Sequence, residues 1–261
     1  MAPFSVVLSH AELAYLLSLL GAAPLMGVDH NPFDGFNAKE IAVAHATARD
    51  ALRARDLLRL DAEGHQLVNN DLLHLLEIYT RPDLLITAYR YTTEEDLPLA
   101  WFAYRRNSGA AIHTRPGDLL HAFMRAPDAP FVAEALADFC ASDVTVSLPA
   151  SAPLTLPGDV MATARAYADA GQADQVAQVL RTAGLDDVAA TALAAELNHP
   201  VAVTAITFVA TGDNTSARRR DATYWQSTPP AARLIVYTET GAVQISSGGV
   251  AEFLAIFNEM V

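Results

Sequence analysis

The stretch WFAYRRNSGAAIHTRPGDLLHAF, residues 101–123, is followed later by a related stretch, LIVYTETGAVQISSGGVAEFLAI, residues 234–256. The two align without a gap at a shift of 133 residues. The aligned pairs are Tyr104 with Tyr237, Ile112 with Ile245, Leu120 with Phe253, and Phe123 with Ile256. We interpret the match as a structural duplication. The alternative is that any two strand–turn–strand–helix units look alike, because alternation and turn chemistry impose the pattern.

The pattern around both stretches predicts an α+β fold. Each half would contain helices, an antiparallel β-meander and a closing helix, and a pseudo-two-fold axis would relate the halves. The Pro- and Ser-rich segment 147–159 is the best candidate boundary. We therefore expect halves 1–146 and 147–261 within one continuous globular domain. The predicted elements are a winged-helix-like segment at 38–80, a meander at 84–115, helices at 116–140, a helical bundle at 157–198, a meander at 201–247 and a helix at 249–259.

The segment ARDALRARDLLRLDAEGHQLV, residues 48–68, resembles the recognition helix and wing of DNA-binding domains. Within one long helix, Arg49 and Arg53 would share a face, as would Arg55 and Arg59. The charge argues against DNA, because residues 1–80 contain five Lys/Arg and ten Asp/Glu and the whole chain carries −13. Such a surface repels phosphate. We expect no nucleic-acid partner, and a winged-helix regulator remains the alternative.

Candidate catalytic residues are scarce. No nucleophile elbow, phosphate loop or zinc-helix motif occurs. We expect His113 at a strand end and His121 on a helix, solvated or half-buried, without a third metal ligand. Cys140 is the one cysteine and is expected to be a buried thiol. Turn chemistry explains residues 29–31 (Asp-His-Asn) as well as catalysis does. We predict no catalytic, metal or cofactor site, and an enzyme on an unrecognised α+β scaffold is a further alternative.

Three consecutive arginines form the sharpest local anomaly in this acidic chain. They lie in a predicted loop, 211–230, that the first half lacks, and two aromatic residues follow them closely. Arginine beside aromatic residues is typical of protein interfaces, although a solvated loop edge and burial of the aromatics on the sheet are alternatives. The candidate partner-binding residues are Arg218, Arg219, Arg220, Tyr224 and Trp225.

The order of elements resembles the EspG family, the cytosolic chaperones of type VII (ESX) secretion. The resemblance rests on the winged-helix-like start, the A-R-x-x-L-x-A-R-x-L-L segment (48–58), the P-G-D-L-L segment (116–120), the Ala-rich bundle and the repeated meander. It covers nearly the whole chain and includes no diagnostic motif.

The resemblance implies a non-enzymatic cytoplasmic protein that binds a helical secretion substrate, such as a PE–PPE heterodimer, and keeps it soluble. It implies that the loop 211–230 and the helices at 157–198 flank the client surface. We expect no membrane insertion, because no apolar run reaches about 18 residues. A homodimer is possible through apolar strand edges.

Overall fold

The computed structural model describes residues 3–22, 33–93, 96–117, 119–141, 153–211, 217–227 and 231–260. The helices in these residues are α1 (His10–Leu19), α2 (Ala38–Ala54), α3 (Asn70–Thr80), α4 (Ala129–Ala141), α5 (Gly158–Asp169), α6 (Ala173–Thr182), α7 (Asp187–Asn198) and α8 (Val250–Met260). The strands are β1 (Ser5–Ser9), β2 (Leu58–Leu60), β3 (Gln66–Val68), β4 (Leu84–Thr92), β5 (Leu99–Arg106), β6 (Gly109–Gly117), β7 (Leu120–Ala126), β8 (Leu154–Pro157), β9 (Pro200–Ala210), β10 (Arg218–Ser227), β11 (Ala231–Tyr237) and β12 (Ala242–Ser246). Within the described ranges, no helix has both the length and the apolar character needed to cross a bilayer.

The chain divides into two compact units. Unit 1 comprises Met1–Leu85 and Ala100–Val132, and unit 2 comprises Ile86–Leu99 and Ala133–Val261. The predicted boundary between residues 146 and 147 lies outside the described residues, so the division into halves stays a prediction.

Unit 1 contains four antiparallel strands in the order β1-β7-β6-β5. His113 on β6 lies opposite Phe102 on β5 and opposite Phe123 on β7. Residues directly opposite each other in an antiparallel pair share a face of the sheet. The register therefore places these three rings side by side in the unit 1 core, where each is at most 1 % exposed.

Capping boxes begin the first two helices of unit 1. Ser9 and Glu12 form one at α1, as the sequence Ser9-His10-Ala11-Glu12 predicts, and Asn37 with Glu40 forms another at α2. The sequence predicts that the second helix extends to Leu58, but α2 ends at Ala54, and Asp56 then takes a left-handed conformation at φ 56°. The hairpin that the sequence 60–67 predicts forms between β2 and β3 with Gly64 in its turn at φ 87°, and α3 follows.

Unit 2 has the strand order β4-β9-β10-β11-β12-β8, with most of β4 belonging to this unit. Antiparallel pairing joins β9 through β12 and β8. The three predicted Ala-rich helices form α5, α6 and α7. Their buried side chains, including Val176 and Leu180, share one apolar core with Trp225, Ile235 and Ile245 of the strands.

The first part of the helical segment predicted at 116–140 is wrong, because residues 120–126 form strand β7. The helical interpretation rested on Leu119, Leu120, Phe123 and Met124. The same residues also fit a period of two, in which His121 and Phe123 point into the core and are at most 1 % exposed. Pairing with β1 on one side and β6 on the other decides between the two periods. The second predicted helix, opened by Pro130, is confirmed as α4.

The gapless alignment at 133 residues pairs the wrong elements. It sets β5 on β11 and β6 on β12, but it places strand β7 on helix α8. Apart from the β2–β3 hairpin, which the second series lacks, β1, three helices, β4 to β7 and α4 are followed in chain order by β8, three helices, β9 to β12 and α8. The order of elements therefore repeats, with β7 corresponding to β12 and α4 to α8. Segment 147–159, expected to be a connection, includes strand β8 in its described part.

Candidate functional site

The three arginines lie on a strand, contrary to the expected loop. Arg218, Arg219 and Arg220 begin β10 and pair with Ala210, Val209 and Phe208 of β9. Strand β10 includes all three arginines, because β9 is long enough to offer a pairing partner to each of them. Alternation along the strand then separates the arginines, two on one face and one on the other.

Arg218 and Arg220 contact the C-terminal end of helix α8. Arg218 donates hydrogen bonds from Nη2 to the carbonyl oxygen of Met260 at 3.0 Å and from Nη1 to that of Glu259 at 3.4 Å. Arg220 Nη1 donates to Glu259 Oε2 at 2.6 Å. Cations at a helix C-terminus are favourable, since the last carbonyls carry partial negative charge. These two arginines therefore hold α8 against β10.

Arg219 lies on the opposite face of β10 and has an exposed side chain, at 66 %. Its Nε donates to both carboxylate oxygens of Asp221, each at 3.0 Å, and Thr207 donates to the same carboxylate at 2.7 Å. The guanidinium tip beyond Nε is the part of the predicted arginine cluster that a partner protein reaches most directly.

Tyr224 and Trp225 are buried, at 4 % and 3 % exposure. The ring of Tyr224 lies 6.0 Å from that of Phe253, and burial raises the pKa of its hydroxyl to about 12. Trp225 lies among the side chains of the α5–α7 bundle. Both aromatic side chains therefore lie beneath the surface, which agrees with the alternative that they are buried on the sheet.

Polar contacts around Trp225 fix the bundle on the strands. Trp225 Nε1 donates to the carbonyl oxygen of Glu196 near the end of α7 at 3.0 Å. Arg233, opposite Trp225 on β11, forms a bidentate pair with the Glu196 carboxylate at 2.8 and 3.0 Å. Arg165 of α5 lies 4.0 Å above the Trp225 ring centre. The hydrogen bond to Glu196 raises the pKa of Arg233, so the guanidinium stays charged.

The outer surface of the bundle carries a groove of about 270 Å³ between α5 and α6. Sequence reasoning identified the helices as a flanking region but not this groove. The available signal was Val179, which lies beside the buried stripe of α6 and is only partly covered. The groove is lined by Asp159, Val160, Thr163, Gln178, Val179, Thr182 and Ala183.

The histidine expectations are wrong in placement and burial. His113 lies inside β6 and His121 on strand β7, both fully buried, and His113 Nε2 lies 2.9 Å from His121 Nδ1. The Tyr104 hydroxyl lies 3.3 Å from His113 Nδ1. Burial lowers the pKa of His113 to about 3, with smaller contributions from the charges of His121 and Arg115. His113 is therefore neutral at pH 7. The uninterrupted apolar run Ala110-Ala111-Ile112 directly before it was the signal that could have placed it in the core, because such a run is typical of a strand buried on both faces.

Cys140 is buried, as expected, and burial raises the pKa of its thiol to about 12. A thiol with such a pKa is a poor nucleophile. The Asp-His-Asn segment at 29–31 lies outside the described residues.

The arginine face that the winged-helix alternative would place on residues 49–59 does not form as one helical surface. Helix α2 ends before Arg55 and Arg59, so this second pair does not share a helical face. Arg49 pairs with Asp50 at 3.0 Å, and Arg55 donates to Glu12 Oε1 at 3.0 Å. Arg59 lies 3.4 Å from Asp56. These carboxylates offset the positive charge that a phosphate contact requires.

One exposed group in the described ranges could offer ligand atoms to a metal ion, namely Asp61, Glu63 and His65 in the β2–β3 turn. Hydrogen bonds of the turn account for this proximity, since Asp61 Oδ1 accepts from the backbone N–H groups of Glu63 at 3.0 Å and His65 at 2.7 Å.

The architecture defined above is the α+β fold of the EspG type VII secretion chaperones. It is similar to the structure of the Mycobacterium tuberculosis type VII secretion system chaperone EspG5, solved in complex with the PE25–PPE41 dimer. The TM-score is 0.71 at 13 % sequence identity, and the match covers 97 % of this chain and 94 % of that chain. No family model and no curated protein matches the sequence.

Proposed function

We propose that the protein is a non-enzymatic, cytoplasmic chaperone of type VII secretion that binds a PE–PPE-like heterodimer and keeps it soluble. The observation that carries the proposal is the similarity of fold over 97 % of the chain to EspG5, a chaperone whose structure contains its PE–PPE dimer. We also propose that the two halves are a duplication with a pseudo-two-fold relation and that residues 38–80 keep a winged-helix-like shape.

The physical features of unit 2 support this proposal. The bundle is held on the strands by Trp225 and by the Arg233–Glu196 pair. The helices that form the groove between α5 and α6 are therefore held in place before a partner binds. A preorganised surface loses little conformational entropy when a partner docks. The net charge of −13 favours solubility of the free chaperone and of its complex.

We propose distinct roles for the five candidate partner-binding residues. The exposed guanidinium of Arg219 contacts the client. Arg218 and Arg220 act by positioning α8 against β10, while Tyr224 and Trp225 support the strands and the bundle beneath the client surface. The groove residue Thr163, which is exposed and lies on α5, is added to this set.

The test is co-expression of the tagged chain with a PE–PPE pair from the same genome, followed by size-exclusion chromatography and titration calorimetry. We expect a stable one-to-one complex of chain and heterodimer. Thr163→Arg fills the groove and weakens binding about tenfold or more, the loss expected for a central interface position. Ala162→Arg is the matched control, because Ala162 is exposed on the same helix but does not line the groove.

A second pair of variants addresses the arginine strand. Arg219→Glu weakens the complex, whereas Arg49→Glu, an exposed arginine of unit 1, leaves it unchanged. Separate elution of chain and heterodimer at micromolar concentration contradicts the chaperone proposal. Binding that is equal in all four variants contradicts the proposed surface alone.

A further inference from the structure

Unit 1 contains a second concave site, which shares no lining residue with the groove between α5 and α6. The C-terminal end of α1, helix α3 and the β5–β6 turn enclose a pocket of about 620 Å³. That volume lies within the range of small-molecule sites. The lining is Leu20, Gly21, Ala22, Leu73, His74, Glu77, Ile78, Thr80, Arg81, Arg106, Asn107, Ser108 and Gly109.

The charges of this pocket are opposite in sign to the charge of the protein. Arg81 and Arg106 line the pocket together with His74, against one carboxylate, Glu77, although the whole chain carries −13. His74 Nδ1 lies 3.8 Å from Glu77 Oε2, which places the carboxylate beside the imidazole. The two guanidinium groups thus leave the pocket with a net positive charge.

Neither guanidinium is neutralised by a carboxylate of the described residues. Arg106 Nη1 donates to the backbone carbonyl oxygen of Glu77 at 3.3 Å, which fixes the side chain but does not cancel its charge. Arg81 is exposed at the C-terminus of α3 and forms no ion pair in the described part of the chain. Both retain N–H groups for a ligand, because a guanidinium carries five donors.

The wall that carries Arg106 is fixed by close packing. Asn107 takes a left-handed conformation at φ 53°, and its N–H donates to Asp83 Oδ2 at 2.6 Å. Gly109 lies against α3 so closely that a Cβ there would be 2.8 Å from Ile78 Cδ1. The turn therefore holds Arg106 in place before any ligand arrives, which lowers the entropic cost of binding.

We propose that this pocket binds a small organic anion. Its carboxylate or phosphate group accepts hydrogen bonds from Arg81 and Arg106, since arginine matches the geometry of both groups. Asn107 and Ser108 offer further donors at the rim, and the apolar part of the ligand contacts Leu20 and Leu73, which keep exposed surface in the lining. The proposal does not depend on the chaperone function, because the pocket lies wholly within unit 1.

The test uses the full chain with phenyl phosphate, benzoate and inorganic phosphate as probes, in titration calorimetry at constant ionic strength. Phenyl phosphate and benzoate share one apolar ring and differ in the anionic group, so their relative affinities identify which group the arginines prefer. We expect at least one of these two probes to bind more tightly than inorganic phosphate, because only they carry an aromatic ring that contacts the apolar side chains of the lining.

Arg81→Gln and Arg106→Gln are each expected to lower the affinity for the probe about tenfold, the loss typical of one charge-assisted hydrogen bond. Arg49→Gln is the matched control and leaves the affinity unchanged. Thermal unfolding shows whether Arg106→Gln still folds, and Arg81→Gln removes no side-chain hydrogen bond or ion pair to a described residue. Failure of both aromatic probes to bind at millimolar concentration overturns the proposal, as does equal affinity in Arg81→Gln and in the unchanged chain.

Discussion

Unit 1 buries two histidines in contact with each other, whereas unit 2 buries much of an arginine–glutamate pair. His113 and His121 are fully buried among Phe102, Tyr104 and Phe123. In unit 2, the side chains of Arg233 and Glu196 are 22 % and 12 % exposed and form two short hydrogen bonds. Burial keeps the His113 imidazole neutral at pH 7 by lowering its pKa to about 3, whereas Arg233 and Glu196 lie together as opposite charges. The units should therefore respond to different perturbations.

The largest expected effect is loss of the anchor of the unit 2 bundle. Trp225→Ala removes a ring that is 3 % exposed and contacts the α5–α7 core, so we expect a loss of about 3–5 kcal/mol in the free energy of unfolding. Urea unfolding monitored by circular dichroism measures it. Trp101 of unit 1 is then the one remaining tryptophan, and its fluorescence follows unit 1 separately.

Trp225→Phe is the matched control for this variant. It retains most of the apolar ring but loses the hydrogen bond to the Glu196 carbonyl, so a loss of about 1–2 kcal/mol is expected. Equal losses in the Ala and Phe variants would show that the hydrogen bond, and not the packed ring, anchors the bundle.

The next effect distinguishes unit 1 by its pH dependence. The pKa of His113 is about 3 in the folded chain and about 6.5 when unfolded. Between these values the unfolded chain binds the extra proton, so stability is full above pH 6.5 and decreases as the pH falls. The expected cost is about 1.4 kcal/mol for each pH unit in this window.

His113→Phe keeps a ring stacked on Phe123 and removes this proton, so the decrease in stability between pH 6.5 and 4 should be shallower. The measurement is a series of urea titrations followed by Trp101 fluorescence. His65→Gln, in an exposed turn, is the control. The same slope in His113→Phe as in the unchanged chain would mean that His113 is not the residue that makes unit 1 acid-sensitive.

The matching perturbation of unit 2 removes one charge of its pair. Glu196→Gln leaves Arg233 largely buried without its carboxylate, and we expect a loss of about 1–3 kcal/mol. The double variant Glu196→Gln with Arg233→Gln should recover part of that loss, because neither charge of the pair remains. Arg233→Gln alone completes the comparison. If the loss in the double variant equals the sum of the losses in Glu196→Gln and Arg233→Gln, the two side chains do not act as a pair.

Sequence patterns predicted most of the elements because local signals and burial agree there. Strand β4 coincides with the predicted segment 84–92, and the capping box at Ser9 places the start of α1. Gly171 and Gly184, both at positive φ, end α5 and α6 where the spacing of apolar residues stops. At the cap and at these glycines, the local backbone conformation strongly favours one residue type, so the short-range signal is sufficient.

The errors fall where long-range pairing decides. Residues 120–126 fit both a helical and a strand period, and only their neighbours β1 and β6 select the strand. The edge strands β1 and β8 were missed because each pairs with a strand distant in sequence. Arginines at 218–220 looked like a loop because charged residues are rare in strands. Their strand is stabilised by contacts with Glu259 and Met260, which no local pattern reveals.

The smallest expected effect concerns the exposed end of α8. Arg220→Ala removes a hydrogen bond of 2.6 Å to a glutamate whose side chain is 59 % exposed. Exposed ion pairs contribute about 0–1 kcal/mol, and a cation near a helix C-terminus adds about as little. The expected loss is therefore below about 1 kcal/mol, measured by the same urea titration, and it should shrink further in 1 M salt because exposed charges are screened. A loss in Arg220→Ala that exceeds the loss in Glu196→Gln would reverse the order of exposed and buried pairs in unit 2. It would then assign more of the stability of this unit to the contact between β10 and α8 than to the pair of Arg233 and Glu196.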